Sequence, residues 1–597
     1  MESQQTYDVV FVGGGLSAIL ASRFLKKRHP ELSILLLDRK LETSYNPGES
    51  TVGVTGLFLI RDLGLSTYCY VNHLPKNGLR YFFHKEGEEL EVPDHSEIGS
   101  NILPIFPTFQ IDRKRFDEDL WTLNEELGID LKLGATLEAI ELGPPHELVY
   151  ELNGKRHLVQ ANWLVQATGR NINSVPELAE SYPVHQEDDL KTAAAWGRYK
   201  KVQDIDSLGD ENWMRRVGFT SRYLSTNHFM GQGYWIWVIP IGYDVVSFGV
   251  VYDTEVVKED LTDNHTFNKF MEEHPFCKLL LEGSEQLDFQ KADSVPYHRD
   301  RFCDEKQWVL LAESYSFVDP FYSPGSDVIS RQSYLLDHLI TAQKSELKER
   351  VDLINAYTEF ERKVIKLLYA GQYKGFGSFE LFNIKSLWDF HSYTNRMVWN
   401  FLAKRFDDLE WLKREVEAGE RTLALTSAIQ NGFQSLCDYL QENGLYERMN
   451  KGKYSLRQNR FRIEEEMLLD FSEDDSLQEH LHLCKLTICE LLEARFGLSI
   501  KERKIIQDEL NFAVMSSFEL TEKWFESFLR RIERRLAQHV FRARKEKIQI
   551  ELGLEMLQQE QGPRYEGTNE EIKSLIQQAW DAKASNRVME QLVQVVA

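Results

Sequence analysis

The run Tyr7–Val12 feeds directly into Gly13-Gly14-Gly15-Leu16-Ser17-Ala18, a G-x-G-x-x-A pattern between an apolar strand and the helix-forming stretch Ala18–Lys27. In that setting the pattern holds a pyrophosphate. Gly13 permits the tight turn, Gly15 lets a phosphate approach the backbone, and the small Ala18 lets helix and strand pack closely. The helix N-terminus adds N–H donors and the positive end of its dipole. The next apolar strand, Ile34–Leu37, runs into Asp38-Arg39, and the Asp38 carboxylate stands about 20 residues past the fingerprint, as needed for a ribose hydroxyl pair. The chain has one such fingerprint. An enzyme that reduces its own flavin with NAD(P)H often carries a second nucleotide fold, so a single site suggests FAD alone. Reduction is then supplied from elsewhere or by a transient NAD(P)H visit.

Glycine and proline show how the elements around this cradle are divided. Of the 16 prolines only Pro563 lies after residue 345, and 24 of the 35 glycines lie before it. Both residues break regular elements, so strands and turns are expected first and mostly helix afterwards. Strand-like runs are Tyr7–Val12, Ser33–Leu37, Leu148–Leu152, Leu158–Val165, Trp235–Ile239 and Val245–Val251, with Asn153-Gly154 as a hairpin turn. After 345 apolar residues recur at helical spacing, as in Trp524, Phe528, Ile532, Leu536 and Val540.

Bulk properties narrow the function classes. Seventy basic and 94 acidic residues give a net charge of −24, which argues against a nucleic-acid partner. Six scattered cysteines without a CxxC pair are reduced-thiol usage and fit a cytoplasmic setting. No stretch approaches the ~18 apolar residues of a membrane span, and no signal peptide is read at the N-terminus.

Several further segments resemble the flavin-dependent halogenases, the tryptophan-halogenase-like branch of the single-FAD monooxygenase fold. Pro47-Gly48-Glu49-Ser50-Thr51 resembles the G-E-S segment that begins the family's strap between flavin and halogenation sites. Phe109–Asp117 resembles the V-D-R-x-x-F-D helix entry, whose arginine, here Arg113, reaches the cofactor. Leu164–Arg170 resembles the A-T-G strand end near the nucleotide, with Thr168 and Gly169. Trp235-Ile236-Trp237-Val238-Ile239-Pro240 matches the W-x-W-x-I-P pattern, in which Trp235, Trp237 and Pro240 hinder direct monooxygenation. Phe317–Gly325 matches F-x-x-P-x-x-S-x-G, with Pro320, Ser323 and Gly325. It follows Ala312-Glu313, where the wider family has Gly-Asp on the ribityl chain.

The resemblance implies an α/β architecture: a Rossmann-like FAD domain of the p-hydroxybenzoate hydroxylase type, an inserted antiparallel sheet and an all-α C-terminal region. The expected segments are 1–180 and 301–345 for the FAD domain, 181–300 for the substrate-side sheet, and 346–597 for the helices. Cofactor contacts are expected from Gly13, Gly15, Ala18, Asp38, Arg39, Glu49, Ser50, Arg113, Thr168, Gly169, Glu313 and Pro320. Family enzymes use FADH2, O2 and halide, chloride or bromide, to make hypohalous acid, which travels through a tunnel to a lysine and is delivered to an electron-rich ring. The matching K-x-G-x-x-F run places that lysine at Lys76. A buried amine is suited to the task, because burial lowers its pKa and the ammonium is a compact donor. The implied partners are a flavin reductase and a small-molecule or carrier-bound aromatic substrate.

Two departures stand out. In the resembling enzymes halide is held by the N–H groups of the glycine and its predecessor; here the predecessor is Pro324, which has none. A charge-assisted hydrogen bond is worth about 1.5–3 kcal/mol, so halide binding weakens unless Ser323, Gly325 or Ser326 re-forms the site. Tyr322 stands where the tryptophan-type branch has a glutamate, which makes free tryptophan a less fitting substrate. A flavin monooxygenase or oxidase on the same fold is the alternative reading. No metal site is expected: His480, His482 and Cys484 alternate in a helix-like run and cannot converge. The basic run Arg530–Lys547 reads as the solvated face of an amphipathic helix.

Overall fold

The computed structural model describes residues 5–456, apart from 105 and 243, together with 487, 490, 491 and 494. The His480–Cys484 run, the helix-spaced residues 524–547 and the segment after Gly562-Pro563 lie outside the described residues.

An eight-stranded sheet carries the fingerprint. Its path runs Cys303–Asp304, Trp308–Leu310, Lys155–Gln166, Gln5–Val12, Ile34–Asp38 and Asp130–Leu133, and the strands Thr136–Glu141 and His146–Leu152 branch off it. Gln5–Val12 lies parallel to both neighbours, with Val9 opposite Trp163 on one side and Ile34 on the other. Val9, Val10 and Phe11 are fully buried, because a parallel strand covered on both faces has no solvent side to alternate toward. Asn153 and Gly154 take φ of 53° and 75°, the positive pair that a two-residue hairpin turn needs, and set Leu152 opposite Lys155. The helix Leu16–Arg28 ends in Lys26, Lys27 and Arg28, cations that favour the negative end of its dipole.

A nine-stranded sheet forms the second layer. Its path is Glu285–Gln286, Thr192–Lys200, Val245–Asp253, Tyr234–Pro240, Thr226–Gly231, Leu79–Phe83, Ser96–Gly99 and Tyr454–Leu456, with Gln290–Ala292 branching from Thr192–Lys200. Pairing is antiparallel except that Thr226–Gly231 runs parallel to Leu79–Phe83, and Tyr454–Leu456 parallel to Ser96–Gly99. Those two pairs join strands distant in sequence, which no tight turn connects. One face packs Tyr81, Phe83, Trp235 and Trp237 against Phe321, Phe376 and Phe382. The other packs Phe82, Phe229 and Ile236 against Phe267 and Phe276. Tyr454–Leu456 arises in the glycine- and proline-poor part of the chain. Three residues are too few to leave a period-two signal there.

A small ribbon pairs Leu74–Pro75 with Phe109–Gln110, Leu74 opposite Gln110, and Ser50 bridges Gln110 on its other edge. Helices dominate from Pro324–Ile340 onward, through Leu347–Leu367, Phe379–Tyr393, Leu409–Glu417 and Gly419–Glu442. The chain divides into two compact units. Among the described residues, one comprises 5–383, 392–420 and 446–456, and the other comprises 384–391 and 421–445 with 487, 490, 491 and 494. In the second unit Lys385 and Asp389 form a buried ion pair of 2.9 Å, and Lys385 also donates to Gln430.

Candidate active site

At the fingerprint, Gly13 has φ of +103°, and a Cβ there would stand 2.5 Å from the Ala167 carbonyl oxygen. Only glycine fits both constraints. Gly15 is the N-cap of Leu16–Arg28 and receives no side-chain cap; a Cβ on it would meet nothing within 4 Å. Open space above uncapped N–H groups, with no acidic residue in the first turn, suits a pyrophosphate. Ala18 is fully buried. Asp38 accepts from Gly14 N–H at 2.5 Å and from Lys40 N–H at 2.7 Å, and Arg39 beside it is exposed. Thr168 donates to the Asn171 carbonyl at 2.5 Å, and Gly169 takes a φ of +71°. The Glu313 carboxylate lies 3.8 Å from where a Gly169 Cβ would stand. Glu313 is exposed, yet surrounding protein desolvates its carboxyl and raises its pKa. A carboxylate lining a recess satisfies both observations. These groups form a cradle that could hold a dinucleotide.

Lys76 lies beyond the strap. Its side chain is 3% exposed, and Nζ donates to Ser50 Oγ at 2.6 Å and to the Thr51 carbonyl at 2.9 Å. Burial pushes the amine down to about 7, against the opposing pull of the Asp327 carboxylate. The strap beneath it is fastened at several points. Glu49 is 3.3 Å from Arg198 of Thr192–Lys200, and its carboxyl is pushed up to about 7 by burial that Arg198 only partly offsets. The Ile111 N–H donates to the Glu49 carbonyl at 2.7 Å. Arg113 forks onto Asp117 at 3.1 and 3.0 Å and donates to the Pro47 carbonyl at 2.5 Å. The arginine and second aspartate of the helix entry thus hold each other and the start of the strap.

Thr55, four residues past Thr51, donates through its N–H and hydroxyl to Asp327 at 2.9 and 2.6 Å, and its hydroxyl oxygen lies 2.9 Å from Ser326 Oγ. Tyr393 donates to the other Asp327 oxygen at 2.5 Å. This web ties the strap to the first turn of Pro324–Ile340. Tyr322 and Ser323, just before that helix, have φ of 67° and 55°, a left-handed pair that non-glycine residues adopt at a cost of about 1–3 kcal/mol each. Pro324 occupies the first helical position, where its missing N–H costs the helix nothing. The Gly325 and Ser326 N–H groups, in the first turn, have no intrahelical acceptor.

The same turn is braced from the tryptophan strand. Asp319, beside Pro320, is fully buried and accepts from the Phe321 N–H at 2.9 Å and the Tyr373 hydroxyl at 2.6 Å. Trp235 Nε1 donates to Tyr373 at 3.1 Å, and the Trp235 ring lies 4.9 Å from that of Phe321. Trp237 donates to Ser247 at 3.1 Å. Pro240 closes the strand opposite Val246.

The fold therefore gathers the candidates into two stations. Gly13, Gly15, Ala18, Asp38, Thr168, Gly169 and Glu313 meet at the strand ends. Lys76, Glu49 and Ser50 meet on the strap, which Thr55 links to Ser326. Arg39 and Pro240 make no hydrogen bond to either group among the described residues. Sequence reading missed Arg198, Thr226, Asp327, Tyr373 and Tyr393. Each reaches its partner across more than 50 residues of chain, and no local pattern marks such a residue.

The two large sheets and the helices after them form a mixed α/β fold shared with solved FAD-binding halogenases. Halogenase PltM, solved with phloroglucinol and FAD, superposes with a TM-score of 0.58 over 81% of this chain and 96% of its own at 17% identity. In sequence the chain is a relative of flavin-dependent halogenases. It is 26% identical over 394 residues to flavin-dependent halogenase chlA of Dictyostelium discoideum, covering 60% of this chain and 62% of chlA. It is 24% identical over 469 residues to tetracycline 7-halogenase of Kitasatospora aureofaciens, covering 73% and 78% of the two chains. A 1H-pyrrole-2-carbonyl-(peptidyl-carrier protein) brominase of Pseudoalteromonas luteoviolacea is 25% identical over 332 residues, 54% of this chain and 75% of that one. No family model matches the chain. No helix among the described residues is long and apolar enough to cross a membrane.

Proposed function

We propose that the chain is an FAD-dependent halogenase acting on an electron-rich aromatic or similarly activated carbon, with reduced flavin delivered by a separate reductase. Bound in the Gly13–Ala18 cradle, FADH2 with O2 and halide supplies hypohalous acid. The observation that carries this reading is the Lys76 amine: buried, held by Ser50 and Thr51, and in no ion pair among the described residues. With a pKa near 7 it is available both as ammonium donor and as free amine at neutral pH. The cradle holds the cofactor by Gly15, Asp38, Thr168, Gly169 and Glu313, with Arg113 holding the strap. The halide falls to the Gly325 and Ser326 amides beside the Ser323 hydroxyl, because Pro324 contributes no donor. Trp235, Trp237 and Phe321 pack as buried core beside this turn and exclude water from it. The arene is a small molecule or is tethered to a carrier, as in the name of the brominase relative. The buried cysteines Cys69, Cys277 and Cys303 fit the proposed cytoplasmic setting.

The test combines purified chain, FAD, a flavin reductase, NADH and a panel of phenols, indoles and pyrroles, with and without chloride or bromide. Product masses shifted by halogen, and lost in Lys76→Ala, are expected. Hydroxylated products that ignore halide would replace this reading with a monooxygenase.

A further inference from the structure

The Lys76 nitrogen has three tetrahedral positions besides its bond to Cε, and two of them are filled by neutral acceptors, Ser50 Oγ and the Thr51 carbonyl. Neither acceptor is free to drift. Thr51 donates through its N–H to the Phe109 carbonyl at 2.9 Å and accepts from the Phe109 N–H at 2.7 Å. The Ser50 hydroxyl lies 2.9 Å from Thr226 Oγ1, and all three side chains are buried. Thr226 in turn donates through its N–H to the Gly78 carbonyl at 3.0 Å, two residues past the lysine. The root of the lysine is pinned to the same ribbon: the Lys76 N–H donates to the Thr108 carbonyl at 2.8 Å, and Thr108 Oγ1 to the Lys76 carbonyl at 3.0 Å.

We propose that Ser50 is a positioning residue for Lys76 rather than a cofactor contact. With Thr226 fixing its hydroxyl rotor, it turns the remaining vertex of Nζ away from the strap. That vertex is an N–H in the ammonium and the lone pair in the free amine, and it is the one presented to the oxidant. The inference rests on the halogenase reading for its purpose, though not for its geometry.

The experiment uses full-length Ser50→Ala, Ser50→Thr and Thr226→Val with lysine-selective isotope labelling, the Lys76 signal being assigned by its absence in Lys76→Met. Neutral acceptors favour the charged amine, so Ser50→Ala is expected to lower the Lys76 pKa by about one further unit. Ser50→Thr should restore it, and Thr226→Val should shift it less. FAD affinity, read by flavin fluorescence quenching, should stay as in the parent. Halogenated product per NADH consumed should fall about tenfold in Ser50→Ala, with peroxide released instead, and recover in Ser50→Thr. An unmoved Lys76 titration in Ser50→Ala overturns the proposal, and so does weakened FAD binding at an unchanged titration. If the parent chain makes no halogenated product, the halogenase reading fails, while the titration, which needs no turnover, still decides the role of Ser50.

Discussion

Arg198 and Glu49 meet at 3.3 Å with neither side chain reaching water, so a charge on the large sheet fixes the strap at its first acidic residue. Arg198 also forks onto Asp288 at 2.9 and 2.5 Å. The two partners are therefore unequal. Arg198→Met removes the shared partner of Glu49 and Asp288, drives Glu49 to take up a proton and should destabilise by about 3 kcal/mol, whereas Glu49→Gln leaves Arg198 its second partner and should cost less. Thermal unfolding midpoints of the two variants should fall in that order.

Lys76 makes a pH signature independent of turnover. Its folded pKa is about 7 against an ordinary 10.5. Between those values the unfolded chain holds the proton and the folded chain does not, so stability rises with pH across that window. The slope is at most about 1.4 kcal/mol per pH unit. Lys76→Met should flatten the rise in denaturant midpoints between pH 7 and 10 and should not lower stability at pH 7.

His274 points to the opposite end of the pH scale. Its ring stacks on Phe229 at 5.5 Å and meets His84 edge-on at 5.2 Å, and neither ring nitrogen has a partner among the described residues. Burial holds it well below the usual histidine range, and the neighbouring His84 and His95 push the same way. The unfolded chain takes up the proton first, so stability is lost as pH falls below about 6.5. His274→Phe should keep the stacking and make the decline in thermal midpoint from pH 6.5 to 5 shallower.

Pro324→Ser would add a donor at the first position of the helix Pro324–Ile340. The halide concentration for half-maximal halogenation should then drop about tenfold, in line with one charge-assisted hydrogen bond. The thermal midpoint should change little, because proline at that position is favoured but not required. An unchanged halide dependence would assign the anion to other donors.

What could be read from sequence was local. The Gly13–Asp38 unit declares itself in 26 consecutive residues, and Asn153-Gly154 declares its turn in two, because backbone sterics act between neighbours. The W-x-W-x-I-P strand was equally legible, since proline and β-favouring residues bound it. The bracing of the site was not. Arg198 answers Glu49 across 149 residues, and Thr226 answers Ser50 across 176. Tyr322 and Ser323 hold left-handed conformations that serine and tyrosine do not advertise; surrounding contacts impose them. Asp327 sits one residue past the Ser323–Ser326 stretch, but its partners Thr55 and Tyr393 come from far upstream and downstream.

The strand Tyr454–Leu456 lies against Ser96–Gly99, and Asn450 just before it ties the His84 and Gly377 carbonyls together at 2.7 and 2.8 Å. The nine-stranded sheet thus waits on residues made some 350 positions later. A nascent polypeptide emerging from the ribosome cannot close this layer until Leu456 has cleared the exit tunnel, and a gene truncated at residue 445 would yield a sheet with a bare hydrogen-bonding margin along Ser96–Gly99.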